Sequence, residues 1–269
     1  MRESCCRIGA GGRLAGIVTE PDGPARRALV LVSAGLVPKF GPYRLYAELA
    51  RRLARERTVT LRFDLGGIGD SGHGASGAPL RARTELEIRS VVDWLCERYR
   101  VTDLTLGGLC SGAEDSFRSA AVDARVTGVV LLDPFAYGSR TNAVKHALHR
   151  VGRRSLRALG LYTPAARPAT LGTRGRPRAV SYRYMERTEA GPILRSLVER
   201  DAHVHFVYTA GAPHAFTHVR QLATEFDLEL GDAVTLDHFP HLDHTQLLAE
   251  DRRAVIETIA SRLNAATPA

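Results

Sequence analysis

Residues 103–113, Asp-Leu-Thr-Leu-Gly-Gly-Leu-Cys-Ser-Gly-Ala, constrain the fold more than any other stretch of the chain. An apolar strand over 103–109 runs without a linker into Cys110, Ser111 and Gly112, and then into a helix expected over about 113–122. A strand that passes at once into a helix suits a parallel sheet, whose crossovers run over the sheet faces. The same alternation recurs on both sides. Residues 27–33, Arg-Ala-Leu-Val-Leu-Val-Ser, form the continuous apolar run of a strand buried on both faces. Pro42 is expected to open a helix over the following YRLYAELARRLARE, whose apolar residues recur at helical spacing. Further strands are expected over 58–63, 126–132, 203–208 and 233–238, with helices over about 82–99, from about 214, and over 245–264. Two short strands, 3–9 and 13–19, flank Gly9, Gly11 and Gly12 at the start. The expected class is therefore α/β, with a mostly parallel sheet covered by helices on both faces.

The alternation breaks over 135–190, where prolines, glycines and arginines accumulate and no strand is evident. This stretch reads as an Arg-rich cap or lid inserted into a core formed by 1–134 and 191–269. At 269 residues the chain fits one large α/β domain, and 44% hydrophobic residues allow a sizeable core. The net charge of +8 belongs to the insertion: residues 139–187 hold 12 Arg or Lys against the single acid Glu186, and the remainder is net acidic. Basicity confined to one segment, with no accompanying binding motif, argues against a nucleic-acid partner. The segment reads either as a solvated face or as a recognition surface for an anionic substrate, such as a carboxylate or a phosphopantetheine carrier. No apolar run reaches the roughly 18 residues needed to span a bilayer, and the first residues lack a secretory pattern, so no membrane partner and a cytoplasmic location are expected.

Four cysteines, Cys5, Cys6, Cys96 and Cys110, match no zinc spacing and make no disulfide framework; neither metal nor cofactor is expected. Cys5 and Cys6 would point to opposite faces of a strand, and Cys96 reads as core. Cys110 alone stands in a reactive context. Gly108-Leu109-Cys110-Ser111-Gly112 is a G-x-C-x-G, the nucleophile-elbow pattern with sulfur in place of the usual hydroxyl. The sharp turn strains the nucleophile's backbone and brings other chain segments close, so Gly108 and Gly112 leave room. The helix N-terminus favours negative charge on the sulfur. Ser111 fits less well as nucleophile, because Leu109 would then occupy a position that needs a small residue.

On these features the chain resembles the α/β-hydrolase superfamily over nearly its whole length. SAGLVPKFGPYRLYAELARRLA, LRFDLGGIGDSG and LGGLCSGA look like the hydrolases associated with exosortase clusters and the serine-aminopeptidase-like group. Cysteine at the elbow is similar to dienelactone hydrolases and some natural-product thioesterases. The resemblance implies the order nucleophile, acid, histidine, with the histidine after the last strand. His244, in Asp243-His244-Thr245, matches that position best and His241 is the alternative base. The acid departs from the pattern, since Thr209-Ala210-Gly211-Ala212-Pro213 holds no carboxylate and Asp133, after the preceding strand, is the substitute. The backbone N–H groups of Ser111 and Leu36 would form the oxyanion hole. Asp64, Asp70 and Ser71 in the glycine-rich loop read first as turn-forming residues.

The implied chemistry is acyl transfer or hydrolysis on a small-molecule or carrier-bound ester or thioester, in natural-product biosynthesis. A weakly supported acid would favour transfer over attack by water. A lyase that eliminates a carboxylate such as acetate is an alternative, and a non-catalytic binding protein is another.

Overall fold

The computed structural model describes residues 1–73, 79–137, 185–210, 216, 220–226 and 232–266. Eight strands form one sheet in the order β1-β2-β4-β3-β5-β6-β7-β8. They are β1 (Arg2–Ile8), β2 (Leu14–Glu20), β3 (Arg27–Val32), β4 (Thr58–Phe63), β5 (Asp103–Leu109), β6 (Gly128–Leu132), β7 (His203–Thr209) and β8 (Val234–Phe239). The β1–β2 and β2–β4 pairs are antiparallel, and every later pairing is parallel. The mostly parallel sheet expected from the alternation is thus observed. Leu29, Leu31, Val30 and Val32 are all buried, as a central strand requires, because helices exclude water from both of its faces.

The helices are α1 (Leu45–Ala54), α2 (Leu80–Arg98), α3 (Ser111–Val122), α4 (Arg187–Glu199), α5 (Gln221–Phe226) and α6 (Ala249–Ala265). One face packs Leu45, Leu49 and Leu53 of α1 with Val255, Ile256 and Ile259 of α6 against Leu29 and Leu31. The other packs Ile88, Val91 and Leu95 of α2 and Phe117 of α3 against Val30, Leu61 and Leu106. These apolar side chains recur every three or four residues, so each helix turns one stripe inward. Each such buried side chain stabilises the fold by about 1.5–3 kcal/mol relative to exposure.

Three helix starts fall later than expected, and one of them is α5, expected from about 214, which begins at Gln221 with Phe216 and Arg220 outside it. Pro42 opens a 3-10 turn, Pro42–Arg44, and Tyr43 and Arg44 have φ of 45° and 71°, so α1 begins only at Leu45. The last helix begins at Ala249, because Asp243 and Gln246 (φ 48°) hold the preceding residues in turns. Residues 138–184, most of the segment read as a cap, lie outside the described residues, as do 211–215 after β7. Among the described residues no helix is long and apolar enough to cross a membrane.

Candidate active site

Parallel strands bring the loops after β5, β6, β7 and β8 to one edge of the sheet, the usual place for a site in such folds. At the end of β5 the backbone of Cys110 takes φ 53° and ψ −118°, a strained conformation for any residue but glycine. Neighbouring structure compels it. Cys110 N–H donates to the Leu132 carbonyl at 2.8 Å, while its own carbonyl accepts from Ala113 and Glu114 in the first turn of α3. The two glycines around it admit no side chain. A Cβ on Gly108 would stand 2.5 Å from the Gly112 carbonyl carbon, and one on Gly112 would stand 2.5 Å from the Val32 oxygen. Beneath the turn, the buried Tyr46 hydroxyl accepts from Leu109 N–H at 2.7 Å and donates to the Val32 carbonyl at 3.1 Å, fixing β5 to β3.

Asp133 follows β6 directly, with φ 42° and a fully buried carboxylate. Its Oδ1 accepts from Thr209 N–H at 2.6 Å. Its Oδ2 accepts from the Thr209 hydroxyl at 2.6 Å and lies 2.7 Å from His244 Nδ1. A buried carboxylate with three such contacts is held in place and satisfied. The side chain therefore reaches from β6 across the end of β7 to the loop after β8. Thr209, its main partner, carries no signal in the sequence beyond lying where a carboxylate is missing.

His244 Nδ1 is held by Asp133, and the proximity of Asp133 first and of Cys110 second pushes its imidazole up to about 10 against the opposing effect of burial. With Nδ1 engaged by Asp133, Nε2 is the ring nitrogen that faces the sulfur. The loop that carries it is built by Asp243. Its Oδ1 accepts from Thr245 N–H at 2.8 Å and from the Thr245 hydroxyl at 2.6 Å, and its Oδ2 accepts from Leu247 N–H at 2.9 Å. Gln246 Nε2 donates to the His244 carbonyl at 3.0 Å, and Arg252 donates to the Gln246 and Leu247 carbonyls. An aspartate two residues before a threonine is a turn signal that was available in the sequence. His241, in the same loop, is exposed, and it is His244 that meets Asp133.

Ser111 opens α3, and an N–H at that position has no carbonyl one helical turn behind it. Its hydroxyl accepts from Gly35 N–H at 2.7 Å, which ties the loop after β3 to the elbow and sets Leu36 beside it, 88% exposed. The motif does not reveal this anchor. Asp64, Asp70 and Ser71 do build a turn: the Ser71 hydroxyl donates to the Asp64 carbonyl at 2.6 Å and accepts from Ala15 N–H at 2.8 Å. The turn has an unforeseen centre in Lys39, whose buried ammonium lies 2.7 Å from Asp64 and 2.5 Å from Asp70. Burial opposes that charge, and the bonds to Asp64 and Asp70 outweigh it and hold Lys39 above its usual range.

The other thiols are set apart from this edge. Burial pushes Cys6 up to about 11 and raises Cys96 as well, while Cys5 lies exposed on β1; all four cysteines are free. Among the described residues no group of three or more His, Cys, Asp or Glu side chains could hold a metal ion.

No family profile matches the chain, and no curated protein is similar to it in sequence. Solved structures are similar over its whole length. An α/β serine hydrolase without a lid from Xanthomonas campestris is 14% identical, with a TM-score of 0.61 over 100% of this chain and 96% of its own. The α/β-hydrolase GrgF from Penicillium sp. sh18 is 14% identical, with a TM-score of 0.62 over 98% and 99%. The thioesterase domain from the curacin biosynthetic pathway is 14% identical, with a TM-score of 0.58 over 98% and 100%. The chain has the α/β-hydrolase fold.

Proposed function

We propose that the protein is an acyl-transfer enzyme of the hydrolase type, with Cys110 as nucleophile, His244 as its base and Asp133 as the acid that orients the imidazole. The observation that carries this reading is the buried Asp133 carboxylate 2.7 Å from His244 Nδ1, with Cys110 near enough to the imidazole to raise it, at one edge of the parallel sheet. Cys110 sulfur attacks the carbonyl carbon of an ester or thioester while His244 Nε2 holds the proton that the thiol has given up to it. The N–H groups of Ser111 and Leu36 stabilise the negative oxygen of the tetrahedral intermediate. As the carbon–heteroatom bond breaks, His244 returns the proton to the departing alcohol or thiol, leaving an acyl-thioester on Cys110. Water or another acceptor then attacks, again giving its proton to His244, and the thiol is restored. Because Asp133 reaches His244, activation of water has support, and the missing carboxylate after β7 no longer argues for transfer over hydrolysis.

The likeness to a thioesterase domain supports a thioester substrate, small or carrier-bound, in natural-product biosynthesis. Recognition of an anionic substrate by the Arg-rich segment rests on its composition alone. The test is mass spectrometry after incubation with an activated ester. An acyl adduct on Cys110, absent from Cys110→Ala together with turnover, supports the reading. Turnover that survives in Cys110→Ala without an adduct would assign His244 to eliminating a carboxylate in a lyase. No turnover across esters, thioesters and lactones would leave a binding protein.

A further inference from the structure

A cavity of about 410 Å³ that shares no lining residue with this site lies between α1 and the antiparallel edge of the sheet. Cys5, Ile17 and Arg62 stand in one row across β1, β2 and β4, and α1 reaches over β4 without covering β1. Arg62 is only 2% exposed. Its Nη2 donates to Glu3 Oε1 at 2.6 Å, but its Nε and Nη1 are buried with no hydrogen-bond partner among the described residues. Buried donors without partners cost the fold free energy, and more so when the group is charged. Burial accordingly pulls the Arg62 guanidinium below its usual range, with Glu3 offsetting part of the effect.

Two further arginines, Arg44 and Arg51, line the same cavity, and Glu3 is the carboxylate among its lining residues. Glu3 is already divided between Arg51, at 2.6 Å, and Arg62. Ile17, Phe40 and Ala47 give the cavity an apolar side, with the Phe40 ring 5.7 Å from the Arg62 guanidinium carbon. The chemistry that complements this arrangement is a compact dianion with several acceptor oxygens, joined to a small apolar body. We propose that the cavity is a second ligand site, binding the phosphate group of a small phosphate monoester through Arg62, Arg51 and Arg44.

Calorimetric titration of the full chain with phenyl phosphate and with inorganic phosphate, at constant ionic strength set with chloride, tests this. Saturable binding of both is expected, with phenyl phosphate tighter by several-fold because its ring meets the apolar side. Arg44→Ala and Arg51→Ala, at the rim of the cavity, should each weaken binding about tenfold, a change of about 1.4 kcal/mol. Glu3→Gln should tighten it, since the competing carboxylate is gone, and phosphate should restore any thermal stability that this variant loses. Affinity unchanged in both arginine variants, or binding that chloride abolishes as readily as added phosphate does, overturns the proposal. Equal affinity for the two phosphates removes the ester from it. Retention of binding in Cys110→Ala/His244→Gln is required, because its loss would move the anion to the catalytic edge.

Discussion

Held by both the N–H and the hydroxyl of Thr209, the Asp133 carboxylate is not free to swing, and its remaining contact goes to His244 Nδ1. That fixes which ring nitrogen faces the sulfur. Asp133→Asn keeps the shape but can present an amide N–H to Nδ1, which favours the wrong tautomer. A kcat lower by about a hundredfold or more is expected, with KM little changed, because the loss falls on proton transfer. Thr209→Val removes one contact to Oδ2 and leaves the backbone one, so steady-state kinetics should show a loss of less than about tenfold. A near-normal rate in Asp133→Asn would show that the sulfur and the imidazole suffice alone. At this scale the sequence exposes Cys110 and His244, because each sits in a short motif beside an element boundary. Asp133 is reached only through the resemblance, since some relatives carry the acid after the preceding strand and the loop after β7 here lacks a carboxylate. Thr209 stays hidden, because its contact to Asp133 spans 76 positions and no local pattern encodes it.

The strand–turn–helix unit of β5 and α3 is legible for a physical reason: close approach leaves only glycine at two positions, and glycine is visible in a sequence. Gly108→Ala would drive a Cβ to 2.5 Å from the Gly112 backbone, and Gly112→Ala would do the same against β3. Backbone cannot step aside as a flexible side chain can. Each substitution should cost about 2 kcal/mol or more in urea unfolding, along with loss of activity. Gly191 offers the contrast. It lies inside α4, and a Cβ there would meet Phe226 at 3.5 Å, an ordinary contact. Gly191→Ala should therefore change stability by less than about 1 kcal/mol, because the helix propensity of alanine is set against the crowding of its Cβ by the following Pro192. Equal effects at 108 and 191 would show that the elbow is not as tightly packed as its distances imply. Helix starts are less legible than this unit. Pro42 is a sound signal for a first turn, but positive φ at Tyr43 and Arg44 delays α1, and Asp243 replaces the first turn expected of α6.

Across the whole molecule, hydrophobic runs announce a parallel sheet, whereas the ion pairs that tie its parts together are invisible in them. Arg62 with Glu3, Lys39 with Asp64 and Asp133 with His244 join positions 59, 25 and 111 residues apart. The last of these makes global stability depend on pH in a stated direction. In the unfolded chain His244 titrates near its ordinary 6.5, and in the folded protein the proximity of Asp133 first and of Cys110 second raises it to about 10. Between those values the folded state keeps a proton that the unfolded state releases, so stability falls as pH rises. The contribution of the charged imidazole is complete below about pH 6.5 and is lost as pH rises through about 10. Urea unfolding of wild type and His244→Gln from pH 6 to 10.5 should show a stability difference that is largest at the acid end and shrinks steadily. In Cys110→Ala the same difference should keep its sign and vanish at a lower pH, because the second of the two raising effects on His244 is gone. Adding Asp133→Asn to that variant should leave almost no pH dependence in the window, because the larger contact goes with it. A difference that grew with pH would mean that the folded protein holds His244 neutral, and the line from Asp133 to Cys110 would then need another account.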